Sequence, residues 1–91
     1  MWRIGYSDTF ARTFRRLVRR TPALRAAFAA TLALLEQDPH HPHLKLHALE
    51  GKLAGLCAVR VTYSIRLILV LQEAEHAAIL VDIGTHDEVY R

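Results

Sequence analysis

From Ile65 the chain reads Ile65-Arg66-Leu67-Ile68-Leu69-Val70-Leu71-Gln72, and from Ala77 it reads Ala77-Ala78-Ile79-Leu80-Val81-Asp82-Ile83. Apolar runs of this length, rich in isoleucine, leucine and valine, predict two β-strands. The polar residues 72–76 between them predict a hairpin turn. A further strand is predicted at about Ala58–Tyr63, so the last third of the chain should form a three-stranded antiparallel meander.

The N-terminal residues predict a short strand followed by a helix. Trp2, Ile4 and Tyr6 recur with period two, which is typical of a strand. Ser7 or Asp8 is expected to cap the helix, because a side-chain oxygen there accepts an otherwise unpaired amide hydrogen of the first turn. The predicted inner stripe of this helix is Phe10, Phe14, Leu17 and Val18.

Thr21-Pro22 predicts the start of a second helix, with a capping hydroxyl before a proline at the first helical position. This helix should run to about Gln37, antiparallel to the first because the connection is short. Prolines 39 and 42 exclude its continuation, and residues 39–56 are predicted to form an ordered loop.

The predicted order is therefore one strand, two helices and a meander. This is an α+β fold, in which the N-terminal strand, an antiparallel helical hairpin and a three-stranded antiparallel meander complete a four-stranded sheet with both helices on one face. Residues 1–91 are expected to form a single domain.

Composition indicates an ordinary globular protein, with 52% apolar and 23% charged residues. No run approaches the roughly 20 apolar residues of a membrane helix, and the N-terminus does not resemble a signal peptide, which predicts a cytoplasmic protein. Cys57 is the single cysteine, so an internal disulfide is excluded. The histidines at 40, 41, 43 and 47 lack the spacing of ordinary zinc sites, and we expect no metal site.

Positive charge is concentrated at the start of the chain. The net charge is +3, yet residues 1–20 contain six arginines and one acidic residue, whereas residues 72–91 contain five acidic residues and one arginine. A basic N-terminal helix suits a polyanion or an acidic protein partner. A solvated helix face would give the same pattern.

Two segments together resemble the RelE/ParE toxin superfamily, especially its RelE/StbE and YafQ-like messenger-RNA interferases. One segment is the glycine-containing loop of residues 46–56 with the basic strand of residues 59–68. The other is residues 79–91, with Gly84-Thr85-His86 and the near-terminal Tyr90. The resemblance covers about Trp2 to Arg91. It implies a RelE-like fold, a cognate antitoxin partner, and metal-independent endoribonuclease cleavage of mRNA without a cofactor, commonly at the ribosome.

RNA cleavage without a metal needs a base for the 2′-hydroxyl, cations for the phosphate and an acid for the departing 5′-oxygen. Arg66 and Arg60 suit the phosphate, because a guanidinium donates two hydrogen bonds and stays charged. His86 is the best acid or base candidate, Tyr90 could stack on a base or orient the phosphate, and His47 matches a loop histidine of YafQ-like relatives. The candidate RNA-binding cations are Lys45, Lys52, Arg12 and Arg16.

Each candidate has a structural alternative. Arg66 could be an edge-strand charge or a partner for Asp87 or Glu88, Tyr90 could close the core, and the helix arginines could dock an acidic antitoxin instead of RNA. A ParE-like toxin that binds and inhibits DNA gyrase without catalysis is the alternative function, and a toxin that has lost its activity and only binds its antitoxin is a third.

Overall fold

A computed structural model describes residues 1–90, and Arg91 lies outside the described residues. These residues form one sheet and three helices, an α+β arrangement as predicted. The strands are β1 (Arg3–Tyr6), β2 (His47–Ala48), β3 (Cys57–Arg60), β4 (Ile65–Gln72) and β5 (Ala77–Thr85). The helices are α1 (Asp8–Arg20), α2 (Leu24–Gln37) and α3 (His86–Val89). Short 3₁₀ turns occupy Pro42–Leu44, Gly51–Leu53 and Glu73–Glu75.

The predicted meander is present. β3 pairs antiparallel with β4, and β4 pairs antiparallel with β5. β1 adds in parallel to the outer side of β5, with Arg3 opposite Ala77 and Tyr6 opposite Leu80. The parallel arrangement follows from the helical hairpin, which carries the chain back before it enters the meander.

The sheet has five strands in the order β1-β5-β4-β3-β2, so the prediction of four strands was wrong. The additional strand is β2, where His47 lies opposite Ala58 and Ala48 opposite Cys57. It lies in the segment predicted to be an ordered loop. Two residues are too few to show alternation, and the pairing depends on β3 lying alongside.

Both long helices begin and end for local reasons, and one predicted start was wrong. The Ser7 hydroxyl accepts the Phe10 amide at 3.0 Å, which confirms the predicted cap of α1. Thr21 instead ends α1, with its amide donating to the Leu17 carbonyl, and α2 begins at Leu24 without a side-chain cap. Proline 22 lies in the turn because α1 continues up to it.

The main core lies between the helical hairpin and one face of the sheet. Phe10, Leu17 and Val18 of the predicted stripe are buried there and Phe14 is half-buried. Successive strand residues point to opposite faces, so Leu67 and Leu69 join this core while Ile68 points away from it. Within residues 1–90, none of the helices has the length and apolar content of a membrane span.

Candidate functional site

The sheet face opposite the long helices carries a second, smaller core and two arginines. Ala58 and Ile68 are buried on this face together with Val89 of α3. Half-buried neighbours complete the cluster: Leu49, Leu56, Val81 and Tyr90. Arg60 and Arg66 are cross-strand partners on β3 and β4, and directly paired residues of antiparallel strands share a face.

Gly84 lets α3 fold back over this face. Gly84 is buried in β5 opposite Arg66. A Cβ at this position would lie 2.9 Å from Glu88 Oε1, 3.2 Å from Glu88 Cβ and 3.4 Å from Val89 Cγ1. The absence of a side chain at residue 84 therefore provides the space that α3 occupies.

A capping box fixes the first turn of α3. The Thr85 amide donates to Glu88 Oε1 at 2.8 Å, and the Glu88 amide donates to the Thr85 hydroxyl at 3.3 Å. The pKa of Glu88 is below its ordinary value, chiefly because its carboxylate accepts the hydrogen bond from the Thr85 amide. Desolvation raises this pKa but is the smaller effect, and the positive charges of Arg20 and Arg16 lower it further. Glu88 Oε2 lies 3.9 Å from Arg20 Nη2. The site thus depends on a helix that the sequence analysis did not predict, although Thr85-x-x-Glu88 is its standard signature.

His86 is the first residue of α3, and Tyr90 follows the last one, one helical turn later. Their ring centroids are 4.4 Å apart at an interplanar angle of 66°, an edge-to-face contact. His86 Nδ1 lies 3.5 Å from Asp87 Oδ1, and the His86 side chain is 74% exposed. The imidazole is therefore open to solvent and oriented partly by the phenol ring.

The Arg66 guanidinium is anchored to the β3–β4 turn. Its Nη1 donates to the carbonyls of Thr62 at 2.9 Å, Tyr63 at 3.0 Å and Ile65 at 3.4 Å. All of its hydrogen bonds to residues 1–90 leave from this one nitrogen, so the Nε and Nη2 edge can serve an anion without breaking them. Neither Asp87 nor Glu88 is its partner, contrary to the structural alternative for Arg66.

His47 reaches the same region from the short edge strand β2. Its Nδ1 lies 3.0 Å from the Lys45 carbonyl oxygen. A carbonyl only accepts, so Nδ1 carries the proton, and in a neutral imidazole Nε2 is then an acceptor. The strand β2, which the sequence did not reveal, sets this orientation.

Four of the predicted catalytic residues line one open cleft of about 460 Å³. They are His47, Arg66, His86 and Tyr90, and Leu49 completes the lining. Arg60 does not line this cleft, although it shares its sheet face. The Arg60 guanidinium carbon lies 5.8 Å from the centroid of the exposed Tyr63 ring instead.

The predicted RNA-binding cations lie in different places. Lys52 lines a second cleft of about 400 Å³ that shares Leu49 and Tyr90 with the first. Lys45 is exposed in the loop before β2. Arg12 and Arg16 are exposed on α1 and line neither cleft.

The other histidines form no joint site. His40 Nε2 lies 2.9 Å from Glu73 Oε2, and His41 contacts His43 with ring centroids 5.0 Å apart. His76 stacks on Trp2, also at 5.0 Å. Across residues 1–90 the structure groups no three histidine, cysteine or acidic side chains that could hold a metal ion.

Solved structures with the same fold include YafQ, a Helicobacter pylori toxin and a toxin–antitoxin complex. YafQ from E. coli strain BL21(DE3) matches over all of both chains with a TM-score of 0.81 and 19% identity. YafQ in the E. coli DinJ–YafQ toxin–antitoxin complex matches over all of both chains with a TM-score of 0.79 and 21% identity. A metal-bound toxin from Helicobacter pylori matches with a TM-score of 0.76 and 25% identity, over 98% of this chain and 99% of that one. No protein-family model and no curated protein matches the sequence.

Proposed function

We propose that this chain, which has the fold of the RelE/YafQ-like toxin superfamily, is the toxin of a type II toxin–antitoxin system and cleaves messenger RNA. The observation that carries the proposal is the cleft in which two imidazoles, one guanidinium and one phenol lie together. The imidazoles and the guanidinium supply the base, the acid and the cation that RNA cleavage by the protein's own acid–base chemistry requires. The enzyme class is an endoribonuclease, an mRNA interferase.

Arg66 stabilises the phosphate as charge accumulates on it. Its Nη1 is held by the turn carbonyls, so the guanidinium is oriented before substrate arrives and loses little freedom on binding. Arg60, its cross-strand partner, adds a second positive charge on the same face. Removal of one such preorganised donor typically costs about 10²- to 10³-fold in rate.

His47 is the general base and His86 the general acid. The Nε2 atom of neutral His47 carries a lone pair, since Nδ1 is bonded to the Lys45 carbonyl, and it takes the proton of the 2′-hydroxyl. The 2′-oxygen then attacks phosphorus and the bond to the 5′-oxygen breaks. Protonated His86 donates its proton to the departing 5′-oxygen, which leaves a 2′,3′-cyclic phosphate and a 5′-hydroxyl.

The remaining candidates hold the RNA. Tyr90 stacks on a base at the cleft, as aromatic side chains do in recognition of single-stranded RNA. Lys45 and Lys52 add positive charge beside the cleft, while Arg12 and Arg16 contact more distant phosphates of the message or the ribosome. The partners are a cognate antitoxin, as in the DinJ–YafQ complex, and the translated message in the cytoplasm.

The direct test is cleavage of a message on ribosomes by the purified protein. Arg66→Ala, His47→Ala and His86→Ala should each remove the defined products while leaving the circular dichroism spectrum unchanged. Arg25→Ala and His43→Ala are matched controls, because both residues are exposed and outside the cleft, and both should cleave normally. Normal cleavage by the Arg66 and His86 variants would refute the assignment.

A DNA supercoiling assay separates the gyrase alternative. The cleft favours the nuclease, so we expect RNA products and no inhibition of gyrase. Inhibition of gyrase without RNA cleavage would reverse the conclusion.

A further inference from the structure

A second cleft of about 400 Å³ lies beside the proposed catalytic cleft. It is lined by Leu49, Glu50, Lys52, Leu53 and Tyr90. Leu49 and Tyr90 also line the catalytic cleft, so these two side chains form the boundary between the two spaces. A group bound in the second cleft is therefore the immediate neighbour of one bound in the first.

The loop that forms this second cleft is closed and sharply turned. The Leu49 amide donates to the Leu56 carbonyl at 2.9 Å, and the Leu53 amide donates to the Glu50 carbonyl at 3.3 Å. Gly51 has φ +66°, a conformation that other residues rarely adopt. The turn brings the charged side chains of Glu50 and Lys52 to the same small space.

These two charges have no partner among residues 1–90. The ion pairs there involve other side chains, and neither Glu50 nor Lys52 forms a side-chain hydrogen bond. Leu49, Leu53 and the Tyr90 ring supply apolar surface to this cleft, and Glu50 and Lys52 add one strong acceptor and one strong donor. That pattern matches a planar heteroaromatic ring with polar edges.

We propose that the second cleft binds the nucleobase adjacent to the cleaved phosphate and selects guanine. The inference rests on the proposed function, which places the phosphate in the first cleft. The base lies against Leu49, Leu53 and the ring of Tyr90. Glu50 accepts hydrogen bonds from guanine N1–H and N2–H, and Lys52 donates to O6 or N7.

Guanine is favoured because only its Watson–Crick edge offers two adjacent donors to one carboxylate. Adenine offers the N6 donor beside the N1 acceptor, and cytosine offers the N4 donor beside the N3 acceptor, so a lone pair faces the second oxygen of Glu50. Uracil offers a single donor between two carbonyls. Lysine also commonly contacts guanine O6 and N7. A bidentate contact of this kind discriminates by about 5- to 150-fold against another base.

The test uses messages that carry every combination of the two nucleotides flanking the cleaved bond. We expect the wild-type protein to prefer guanine at one flank by a factor within that range in kcat/KM. Glu50→Gln should remove most of this preference while cleavage of the non-guanine messages is retained. Glu75→Gln is the matched control, an exposed carboxylate in the β4–β5 hairpin, and should keep the wild-type profile. A Glu50→Gln profile identical to wild type, or an equal loss on every message, would overturn the proposal.

Nucleotide binding separates failure of this inference from failure of the nuclease proposal. Titration of the full chain with guanosine and adenosine monophosphates at millimolar concentration should shift the amide resonances of Leu49, Glu50 and Leu53, more strongly for guanosine. These shifts without any RNA cleavage would leave the base site standing and reject the nuclease. Cleavage without these shifts would reject the base site alone.

The same variants detect occupation by a protein instead. If a co-expressed cognate antitoxin no longer rescues growth of cells that carry Glu50→Gln, and the nucleotide profile of this variant is unchanged, the second cleft belongs to the antitoxin and the proposal is overturned.

Discussion

Replacing Gly84 by alanine tests whether the site depends on close packing of α3 against the sheet. The new Cβ would lie 2.9 Å from Glu88 Oε1 and 3.2 Å from Glu88 Cβ. Oε1 is held by the Thr85 amide at 2.8 Å, so the carboxylate can move only by breaking the capping box. We therefore expect α3 to be displaced by a few tenths of an ångström or more.

The expected cost follows from two opposing effects. Overpacking lowers the free energy of unfolding by about 1–3 kcal/mol. Replacing a glycine by alanine within a strand raises it by about 0.5–1 kcal/mol. The net loss in the free energy of unfolding is about 1 kcal/mol, which for a domain of this size lowers Tm by about 4–8 °C. Cleavage should fall further, because misplacing catalytic groups by about 1 Å can cost 10²-fold.

Denaturant unfolding and ribosome cleavage assays measure the two effects. Glu88→Ala removes the carboxylate that the new Cβ meets, so Gly84→Ala should cost less in that background than in the wild type. If the losses in the free energy of unfolding of Gly84→Ala and Glu88→Ala simply add in the double variant, residue 84 and Glu88 are not coupled and the prediction is wrong. Wild-type stability and cleavage in Gly84→Ala would also contradict it.

Three further predictions concern Tyr90, Glu88 and the α1 arginines. Tyr90→Phe should keep most of the cleavage activity, because the aromatic ring remains. Tyr90→Ala should raise KM by about 5- to 150-fold, since stacking contributes about 1–3 kcal/mol per base. Equal effects of the two variants would show that the hydroxyl, and not the ring, binds the substrate. The pKa of Glu88 is held below its ordinary value of 4.5 in the folded state. The ionised Glu88 carboxylate therefore contributes fully to the free energy of unfolding above about pH 4.5, and this contribution is lost as the pH falls through the lower pKa of the folded state. Urea midpoints of wild type and Glu88→Gln should therefore converge in acid, and a constant difference would contradict this. Arg12→Ala and Arg16→Ala should each lower the slope of log K for RNA binding against log salt by about 0.7, and an unchanged slope would remove these arginines from the RNA interface.

Local sequence patterns predicted an element correctly where the residues that stabilise it lie within one short segment. The range predicted for β4 is the observed range, Ile65–Gln72, because eight residues carry a strong apolar pattern. A cap at Ser7 or Asp8 was also predicted, and the structure shows that Ser7 provides it, because its hydroxyl accepts from an amide three residues away. β5 was predicted to end at Ile83 and continues to Thr85, because pairing with β4 extends it beyond the apolar run.

The amino-acid sequence alone determined the α+β class, the meander and the residue types that the proposed chemistry needs. Only the tertiary structure decided how those residues meet. β2 forms because β3 lies beside it, and it orients His47. α3 lies over the sheet because Gly84 has no side chain, and it places His86 and Tyr90 beside Arg66. Contacts between segments far apart in sequence leave no periodicity in either segment, so the cleft could not be read from any one of them.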